Sequence, residues 1–181
     1  MRGEGEKMPR ETLIKQEVEG VKRREIFVRY DRCVGCRSCE LACAVSHTAS
    51  RDLFEAILRG EKSKKRIYVD QIDQIKAPAV CRHCEEAPCV AVCVTGAMQR
   101  REDGVNIVDL SRCIGCWMCA LVCPFGAVSR GEGKAIKCDR ECVDEQGIPA
   151  CVRACHTGAL VFKTVEEFEA DRRREVVTSL K

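Results

Sequence analysis

One stretch of the chain, residues 113–123, limits the possible folds more than any other. It carries four cysteines at the spacing C-x2-C-x2-C-x3-C, followed at once by Pro124. This is a spacing at which proteins hold iron–sulfur clusters. Two residues between cysteines let a short loop wrap a small cluster and present three thiolates, while the fourth cysteine begins the next segment and points away.

The same pattern recurs, so that four cysteine sets follow one another along the chain. The second set widens to C-x2-C-x4-C-x3-C and the fourth to C-x3-C-x8-C-x3-C. Each repeat predicts a short strand, a cysteine set, a turn and another strand, which makes the chain a repeat array. The sets are Cys33, Cys36, Cys39 and Cys43; Cys81, Cys84, Cys89 and Cys93; Cys113, Cys116, Cys119 and Cys123; and Cys138, Cys142, Cys151 and Cys155.

Three chemistries use this many cysteines. A disulfide framework needs an export signal and an oxidising compartment, but residues 1–20 are charged throughout and contain no apolar segment. We therefore expect a cytoplasmic location. Structural zinc uses C-x2-C pairs separated by longer loops, which does not match cysteine triplets followed by a fourth. The spacing favours iron–sulfur clusters, and a structural zinc scaffold remains the alternative.

The amino-acid composition also favours metal centres, and it argues against nucleic-acid-binding and membrane-spanning proteins. Of the 181 residues, 45% are hydrophobic, but this share includes 16 cysteines, and aromatic residues reach only 4%. A core this thin needs metal or covalent cross-links. The net charge of +3 comes from interleaved basic and acidic residues, so we expect no nucleic-acid partner. No run approaches the roughly 20 apolar residues of a membrane span.

Sixteen cysteines provide ligands for four [4Fe–4S] clusters with none left over. In two-cluster ferredoxins each set gives three cysteines to one cluster and its fourth to the other. Sets two and three are adjacent, so we expect them to pair, with sets one and four pairing around them. The expected groups are group 1, Cys33, Cys36, Cys39 and Cys155; group 2, Cys43, Cys138, Cys142 and Cys151; group 3, Cys81, Cys84, Cys89 and Cys123; and group 4, Cys93, Cys113, Cys116 and Cys119.

This pairing predicts an α+β fold of two bacterial-ferredoxin-like bi-cluster units, one inserted in the other and rich in loops. Residues 26–75 and 130–163 would form the outer, split unit, and residues 76–129 the inserted one. Residues 1–25 would be a polar N-terminal extension. Thr164 and Glu167 match a capping box, which predicts a C-terminal surface helix over 164–181.

Shorter elements follow from local patterns. Strands are expected at residues 26–30, 66–70, 105–109, 125–129 and 160–162. A helix over 50–59 would be capped by Ser50. Its apolar face, formed by Leu53, Phe54, Ile57 and Leu58, would pack on the core, and docking of a partner is the alternative.

The order of the four sets over residues 26–162 resembles the four-cluster iron–sulfur subunits of dimethyl-sulfoxide-reductase-type and related anaerobic oxidoreductases. The resemblance implies a wire of clusters in the order of groups 1, 2, 3 and 4, with group 1 facing the catalytic subunit. Some relatives carry tryptophan at the third cysteine of set three and hold a three-iron cluster. Here Cys119 is present and Trp117 occupies a non-ligand position, so four cubane clusters are implied.

Residues 39–47, 52–57 and 113–119 resemble most the iron–sulfur subunit that accompanies anaerobic carbon monoxide dehydrogenase. Similar subunits serve formate dehydrogenases, hydrogenases and tungsten aldehyde oxidoreductases. The implied function is electron transfer without catalysis, between a catalytic oxidoreductase subunit and a hydrogenase, flavoprotein or soluble carrier. A catalytic iron–sulfur site would need an open iron, and the cysteine count leaves none. Among the histidines, His83 and His156 are expected beside cluster sulfurs, and His47 less so.

Overall fold

The computed structural model describes residues 23–180, and all but one of its helices and strands are short. Residues 1–22 of the expected extension lie outside the described part of the chain. The strands are β1 (Glu25–Val28), β2 (Ile67–Ile72), β3 (Ile75–Val80), β4 (Met98–Arg100), β5 (Asn106–Val108), β6 (Val128–Arg130), β7 (Ala135–Lys137) and β8 (Leu160–Lys163). The helices are α1 (Ser38–Val45), α2 (Leu53–Leu58), α3 (Pro88–Ala91), α4 (Met118–Leu121), α5 (Ala150–Arg153) and α6 (Val165–Ser179). The α+β class with many loops is confirmed.

The strands pair two by two, and the first pairs with the last. Strand β1 lies antiparallel to β8, with Ile26 opposite Phe162. The other sheets are the hairpins β2–β3, β4–β5 and β6–β7. Helices α1 and α5 also pack together. The two ends of the described chain are therefore joined, and the β4–β5 hairpin lies between them in sequence.

The buried core is divided into small clusters built around cysteines. One combines Ile26, Ile67 and Leu160 with cysteines of sets one and four. Another combines Met98 and Val128 with cysteines of sets two and three. Because so few large apolar side chains are buried, thiols supply much of the interior of both.

Four of the described strands differ from the sequence prediction, and β4 and β7 lie where no strand was expected. Strand β6 begins at Val128, three residues later than expected, because Gly126 has φ +58° and belongs to the preceding turn. Strand β3 was not predicted, since Pro78 interrupts its pattern. Pro78 lies opposite Val69 in a two-stranded sheet, and proline is tolerated at such an edge because it has no N–H to donate.

The helix predicted at 50–59 is shorter and lies differently from the prediction. It is α2, and its cap is Asp52, whose side chain accepts a hydrogen bond of 2.9 Å from the Glu55 backbone N–H. Ser50 instead donates to the Glu61 carboxylate. The apolar face is exposed, with Leu58 87% accessible. Packing of this face on the core was therefore a wrong prediction.

The C-terminal helix forms as predicted. Thr164 and Glu167 make the reciprocal hydrogen bonds of a capping box at the start of α6. The helix buries none of its residues fully, and it docks through Phe168, whose ring stacks on Phe27 with centroids 4.3 Å apart. Arg29 adds ion pairs to Asp171 and Glu175. Between residues 23 and 180, no helix has the length and apolar character needed to cross a membrane.

Candidate iron–sulfur centres

All sixteen cysteines are free thiols, and no disulfide joins any two of them. Fourteen are buried or half-buried, and the two exposed ones are Cys36 and Cys116. These two hold the same position, second in set one and second in set three. The thiols are therefore available as ligands, and one in each of these sets lies at the protein surface.

The cysteines expected to form group 4 line one cavity together. Its empty volume is about 350 Å³, and three of its cysteines come from set three and one from set two. The remaining walls are mostly apolar, with Met98, Val108 and Trp117 among them. Arg130 lies over the outer part of this region, its guanidinium 4.6 Å from the centroid of the Trp117 ring. The cavity is sheltered from water and contains no charged side chain in its wall.

The cysteines expected to form group 3 line a second cavity of about 340 Å³. Three come from set two and one from set three, which reverses the sharing seen in the first cavity. Charged and polar side chains enter this wall, namely Lys137, Arg82 and Asn106. The two cavities therefore have similar sizes, but only the group 3 cavity has charged residues in its wall.

Cysteines of groups 1 and 2 interact through their charges. The pKa of Cys39 is raised to about 11, mainly by burial and in smaller part by the thiolate charges of Cys155 and Cys36. Burial likewise raises the pKa of Cys43 to about 12, with contributions from Cys142 and Cys138. Thiolates this close oppose one another's ionisation unless a cation neutralises them. Iron bound between them would reverse this cost, because a metal ion stabilises coordinated thiolates.

Burial and crowding also act strongly on Cys151. Its pKa is raised first by burial and then by the charges of Cys138, Cys142 and Cys43, with a smaller contribution from Cys39. The first three of these neighbours are the other members expected in group 2. The structure therefore brings the group 2 thiols into electrostatic contact, although their chain positions span more than one hundred residues.

A left-handed turn recurs in every set. The residues Gly35, His83 and Gly115 have φ values of 72°, 47° and 71°, and each directly precedes the second cysteine of its set. In set four the turn is made by Arg140 at φ 56°, and Glu141 follows before Cys142. The additional residue of set four therefore lies after a turn that the other sets share.

Backbone N–H groups at five places within residues 23–180 donate to cysteine sulfurs. Such bonds favour the thiolate form and raise the reduction potential of an attached cluster. The donor and acceptor pairs are Arg66 to Cys43 at 3.2 Å, His83 to Cys81 at 3.4 Å, Met98 to Cys93 at 3.3 Å, Ala135 to Cys113 at 3.5 Å and Leu160 to Cys155 at 3.3 Å.

The histidines do not all lie where the sequence suggested. His83 is only 1% exposed, whereas His156 is exposed. His47, not His156, lies beside a sulfur, with Nδ1 4.0 Å from Cys43 Sγ and 2.6 Å from the Cys43 carbonyl oxygen, to which it donates. Its position four residues after Cys43, one helical turn along the chain, was the signal that could have revealed this contact.

His83 carries an unused donor in the interior. The backbone N–H of Asn106 donates to His83 Nδ1 across 3.1 Å, so the ring proton lies on Nε2. Burial, aided by the charge of Lys137, lowers the His83 pKa to about 2 and keeps the ring neutral. Within the described part of the chain, Nε2 has no hydrogen-bond partner. A buried N–H without an acceptor is costly, and a cluster sulfide nearby would supply one.

These residues fit cubane clusters. Two cavities are each lined by four thiols, backbone donors reach the sulfurs, and a buried N–H lacks an acceptor. Among residues 23–180, no three His, Cys, Asp or Glu side chains are arranged around one metal ion. In the two cavities the four sulfurs line a volume large enough for a polyatomic cluster.

Comparison with known proteins agrees with this chemistry. Residues 72–165 match the family described as "4Fe-4S dicluster domain". An "Iron-sulfur protein" of Rhodospirillum rubrum is 39% identical over 85% of this chain and 91% of its own length. "Electron transport protein HydN" of Escherichia coli (strain K12) is 38% identical over 83% of this chain and 95% of its own.

A third relative is named as a subunit of an enzyme. "Thiosulfate reductase electron transfer subunit PhsB" of Salmonella typhi is 38% identical over 78% of this chain and 76% of its own length. The family match begins before set two and ends after set four, and the relatives cover set one as well. By motif, geometry and similarity alike, the chain belongs to the 4Fe-4S dicluster domain family of iron–sulfur proteins.

Proposed function

We propose that this chain is a non-catalytic electron-transfer subunit that binds four [4Fe–4S] clusters through cysteine groups 1 to 4. The observation that supports this most directly is the pair of cavities in which three cysteines of one set meet the fourth of another. That exchange is how two-cluster ferredoxins share ligands between adjacent sets. The clusters, when bound, supply one-electron oxidation and reduction.

The chain's own residues hold and shield these centres. The cysteine thiolates provide every ligand, and backbone N–H groups such as those of Met98 and Leu160 stabilise the charge on sulfur. Apolar side chains around group 4 exclude water. No nucleophile or proton-transfer group is needed for this function.

We propose that one ferredoxin-like unit is inserted in the other. The antiparallel pairing of β1 with β8 and the packing of α1 on α5 support this, because both contacts join residues 26–75 to residues 130–163. Contacts of α3 with α4 and of β4 with β5 support an inserted unit over residues 76–129, and contacts of β7 with β5 and β6 attach residues 135–137 to it. The clusters would follow the order of groups 1, 2, 3 and 4.

Electrons would enter and leave at the two ends of this series. Cys36 of group 1 and Cys116 of group 4 are exposed, which brings each end cluster near the surface. Exposed apolar side chains flank both, with Val34 and Leu41 near Cys36 in sequence and Ile114 and Leu121 near Cys116. Such surroundings suit two transient protein partners, a catalytic oxidoreductase subunit and a second redox protein.

The catalytic partner that we propose is a carbon monoxide dehydrogenase, with the complex in the cytoplasm. Support comes from residues 39–47, 52–57 and 113–119, which resemble its iron–sulfur subunit. A formate dehydrogenase, a hydrogenase or a tungsten aldehyde oxidoreductase would use the same wire. The thiosulfate reductase subunit among the relatives is a precedent for pairing such a chain with a catalytic subunit.

The test is reduction by the catalytic partner. The anaerobically purified chain is mixed with catalytic amounts of carbon monoxide dehydrogenase, and visible absorption is followed after CO is added. We expect bleaching that needs both enzyme and CO. If dithionite bleaches the chain and this mixture does not, the partner is wrong. If the chain binds zinc and does not bleach with dithionite, electron transfer is wrong and the zinc scaffold is right.

A further inference from the structure

Two buried cations flank Cys138. Lys137 is 4% exposed and Arg140 is 9% exposed. The Lys137 ammonium donates to two carbonyl oxygens, those of Asn106 and of Cys138, the second at 3.0 Å. Both side chains therefore carry positive charge into the interior at the start of set four.

Neither cation has a carboxylate partner among residues 23–180. Arg140 donates through Nη1 to the Arg24 carbonyl at 2.7 Å, and its Nε and Nη2 atoms have no acceptor in that part of the chain. Its guanidinium also lies 5.5 Å from the centroid of the Phe162 ring. These contacts satisfy some donors but provide no ion pair, and the Glu25 carboxylate attracts the guanidinium without forming one.

Other buried charges in the described chain are paired. Arg29 forms ion pairs with Asp171 and Glu175, and Glu40 forms one with Lys65. A buried ion without an ion-pair partner is strongly destabilising, so Lys137 and Arg140 require further negative charge. The arrangement points to a bound anion as its source.

The cysteines of groups 2 and 3 supply that source. Cys138 and Cys81 pack together with Ala127 in one buried cluster, where the two groups meet. Lys137 lines the group 3 cavity, and its charge lowers the pKa of Cys89, which burial raises. Arg140 is two residues from Cys138 in the chain, and the charges of Cys138, Glu25 and Cys81 attract its guanidinium, whereas that of Arg23 repels it.

The end groups have different surroundings. The group 4 cavity is lined by no charged side chain. Next to Cys39 of group 1 is Glu40, whose carboxylate raises the pKa of that thiol, an effect smaller than that of burial. Fully buried positive charge next to the clusters is therefore concentrated at the two inner groups, and the one buried carboxylate of the described chain lies at an outer one. The Lys134 ammonium, which donates to the Cys113 carbonyl of group 4 at 2.6 Å, is only half-buried.

We propose that Lys137 and Arg140 make the clusters of groups 2 and 3 more easily reduced than the two end clusters. This inference rests on the proposed function. A cation held in a low-dielectric interior stabilises each electron added to a nearby cluster. The first two electrons to enter would then reside on the inner clusters. The chain would hold both electrons of a two-electron donor before passing them singly to an acceptor.

The test is an anaerobic redox titration followed by electron paramagnetic resonance. Lys137→Gln removes the charge but keeps a hydrogen-bond donor, and Lys137→Arg keeps both. The group 3 potential is identified as the one lost in Cys84→Ala. We expect Lys137→Gln to lower it by at least a tenfold change in the one-electron equilibrium constant, about 59 mV. Lys137→Arg and the exposed Lys62→Gln should leave it unchanged.

Arg140→Gln should lower the group 2 potential by a similar amount, identified by its loss in Cys142→Ala. If Lys137→Gln fails to bind iron, the potentials of Lys137→Met and Arg140→Gln are measured in its place. A wild-type chain that contains no iron after anaerobic purification would overturn the proposed function. Full iron content with four potentials, none lowered in either charge-removing variant, would overturn this inference and leave the function standing.

Discussion

The backbone N–H of Leu160 donates a hydrogen bond of 3.3 Å to the Sγ of Cys155. The N–H of Met98 makes the same bond, also 3.3 Å, to Cys93. Each sulfur belongs to the fourth cysteine of its set, and each donor comes five residues later, where a strand begins. Sets two and four therefore end in the same local structure, as expected if the unit is repeated.

The crossed sharing of ligands predicts which cysteine variants resemble one another. Cys84→Ala and Cys123→Ala should alter the same cluster, because both residues line the group 3 cavity. Cys119→Ala should alter a different one, although Cys119 is only four residues from Cys123. The measurement is paramagnetic resonance of each dithionite-reduced variant.

In the outer pair, Cys39→Ala and Cys155→Ala should likewise share one altered signal, and Cys43→Ala should differ from both. A single altered signal common to Cys119→Ala and Cys123→Ala would contradict the crossed sharing. Loss of all four signals in any one variant would show that metal binding and folding are coupled throughout the chain.

The turn at Gly115 should tolerate no side chain. A Cβ there would lie 2.4 Å from the Gly133 carbonyl oxygen, and φ is +71°. Gly126 has φ +58°, but a Cβ there would meet nothing within 4 Å. Gly126→Ala should cost only the conformational strain, about 1–2 kcal/mol. Gly115→Ala should cost more and reduce the iron bound per chain.

Iron and sulfide analysis of both variants checks this. If Gly115→Ala binds as much iron as the wild type, the loop around group 4 can move away from the Gly133 carbonyl oxygen. The predicted clash would then be wrong.

Docking of α6 should depend on one buried arginine. The Arg29 side chain is 5% exposed and pairs with Asp171 and Glu175. Arg29→Met should reduce the free energy of unfolding by about 1–3 kcal/mol, because it removes the buried charged donor shared by Asp171 and Glu175 and leaves them only their more exposed partners, such as Lys163 and Arg32. Arg32, 44% exposed, contacts the same Glu175, and Arg32→Met should cost about 0–1 kcal/mol.

Anaerobic denaturation in guanidinium chloride measures both free energies, and amide exchange shows whether the α6 protons lose protection first. Similar losses in the two arginine variants would mean that the burial of Arg29 adds nothing to the attachment of the helix.

Substitutions on the exposed face of α2 should leave the free energy of unfolding of the isolated chain nearly unchanged. Leu58→Ser should change the free energy of unfolding by no more than about 0.5 kcal/mol, as surface substitutions usually do. Ile26→Ala, in the buried core, should cost about 2–5 kcal/mol. A large loss in Leu58→Ser, measured by the same denaturation, would restore the core-packing prediction for this helix.

The cysteine spacing predicted the chemistry well because the ligand geometry of a small inorganic cluster restricts the loop around it. It also predicted which cysteines line two of the cavities, and the Thr164 capping box predicted the start of α6. These features depend on local rules that are written in a few neighbouring residues.

Other features depend on tertiary contacts and were not visible in the sequence. The apolar pattern of α2 indicates one face but not whether that face meets the core. Lys137 looks like any strand lysine, and only the fold shows that it enters a cavity wall. Strand β3 was missed because Pro78 suppresses the strand pattern, while pairing with β2 stabilises it.

Metal content of the anaerobically purified chain tests the central claim most directly. Four cubane clusters require about sixteen iron and sixteen sulfide ions per chain, with broad visible absorption that dithionite bleaches. This is the result that we predict. A colourless chain with zinc and little iron, or one with its thiols oxidised to disulfides under anaerobic purification, would contradict it.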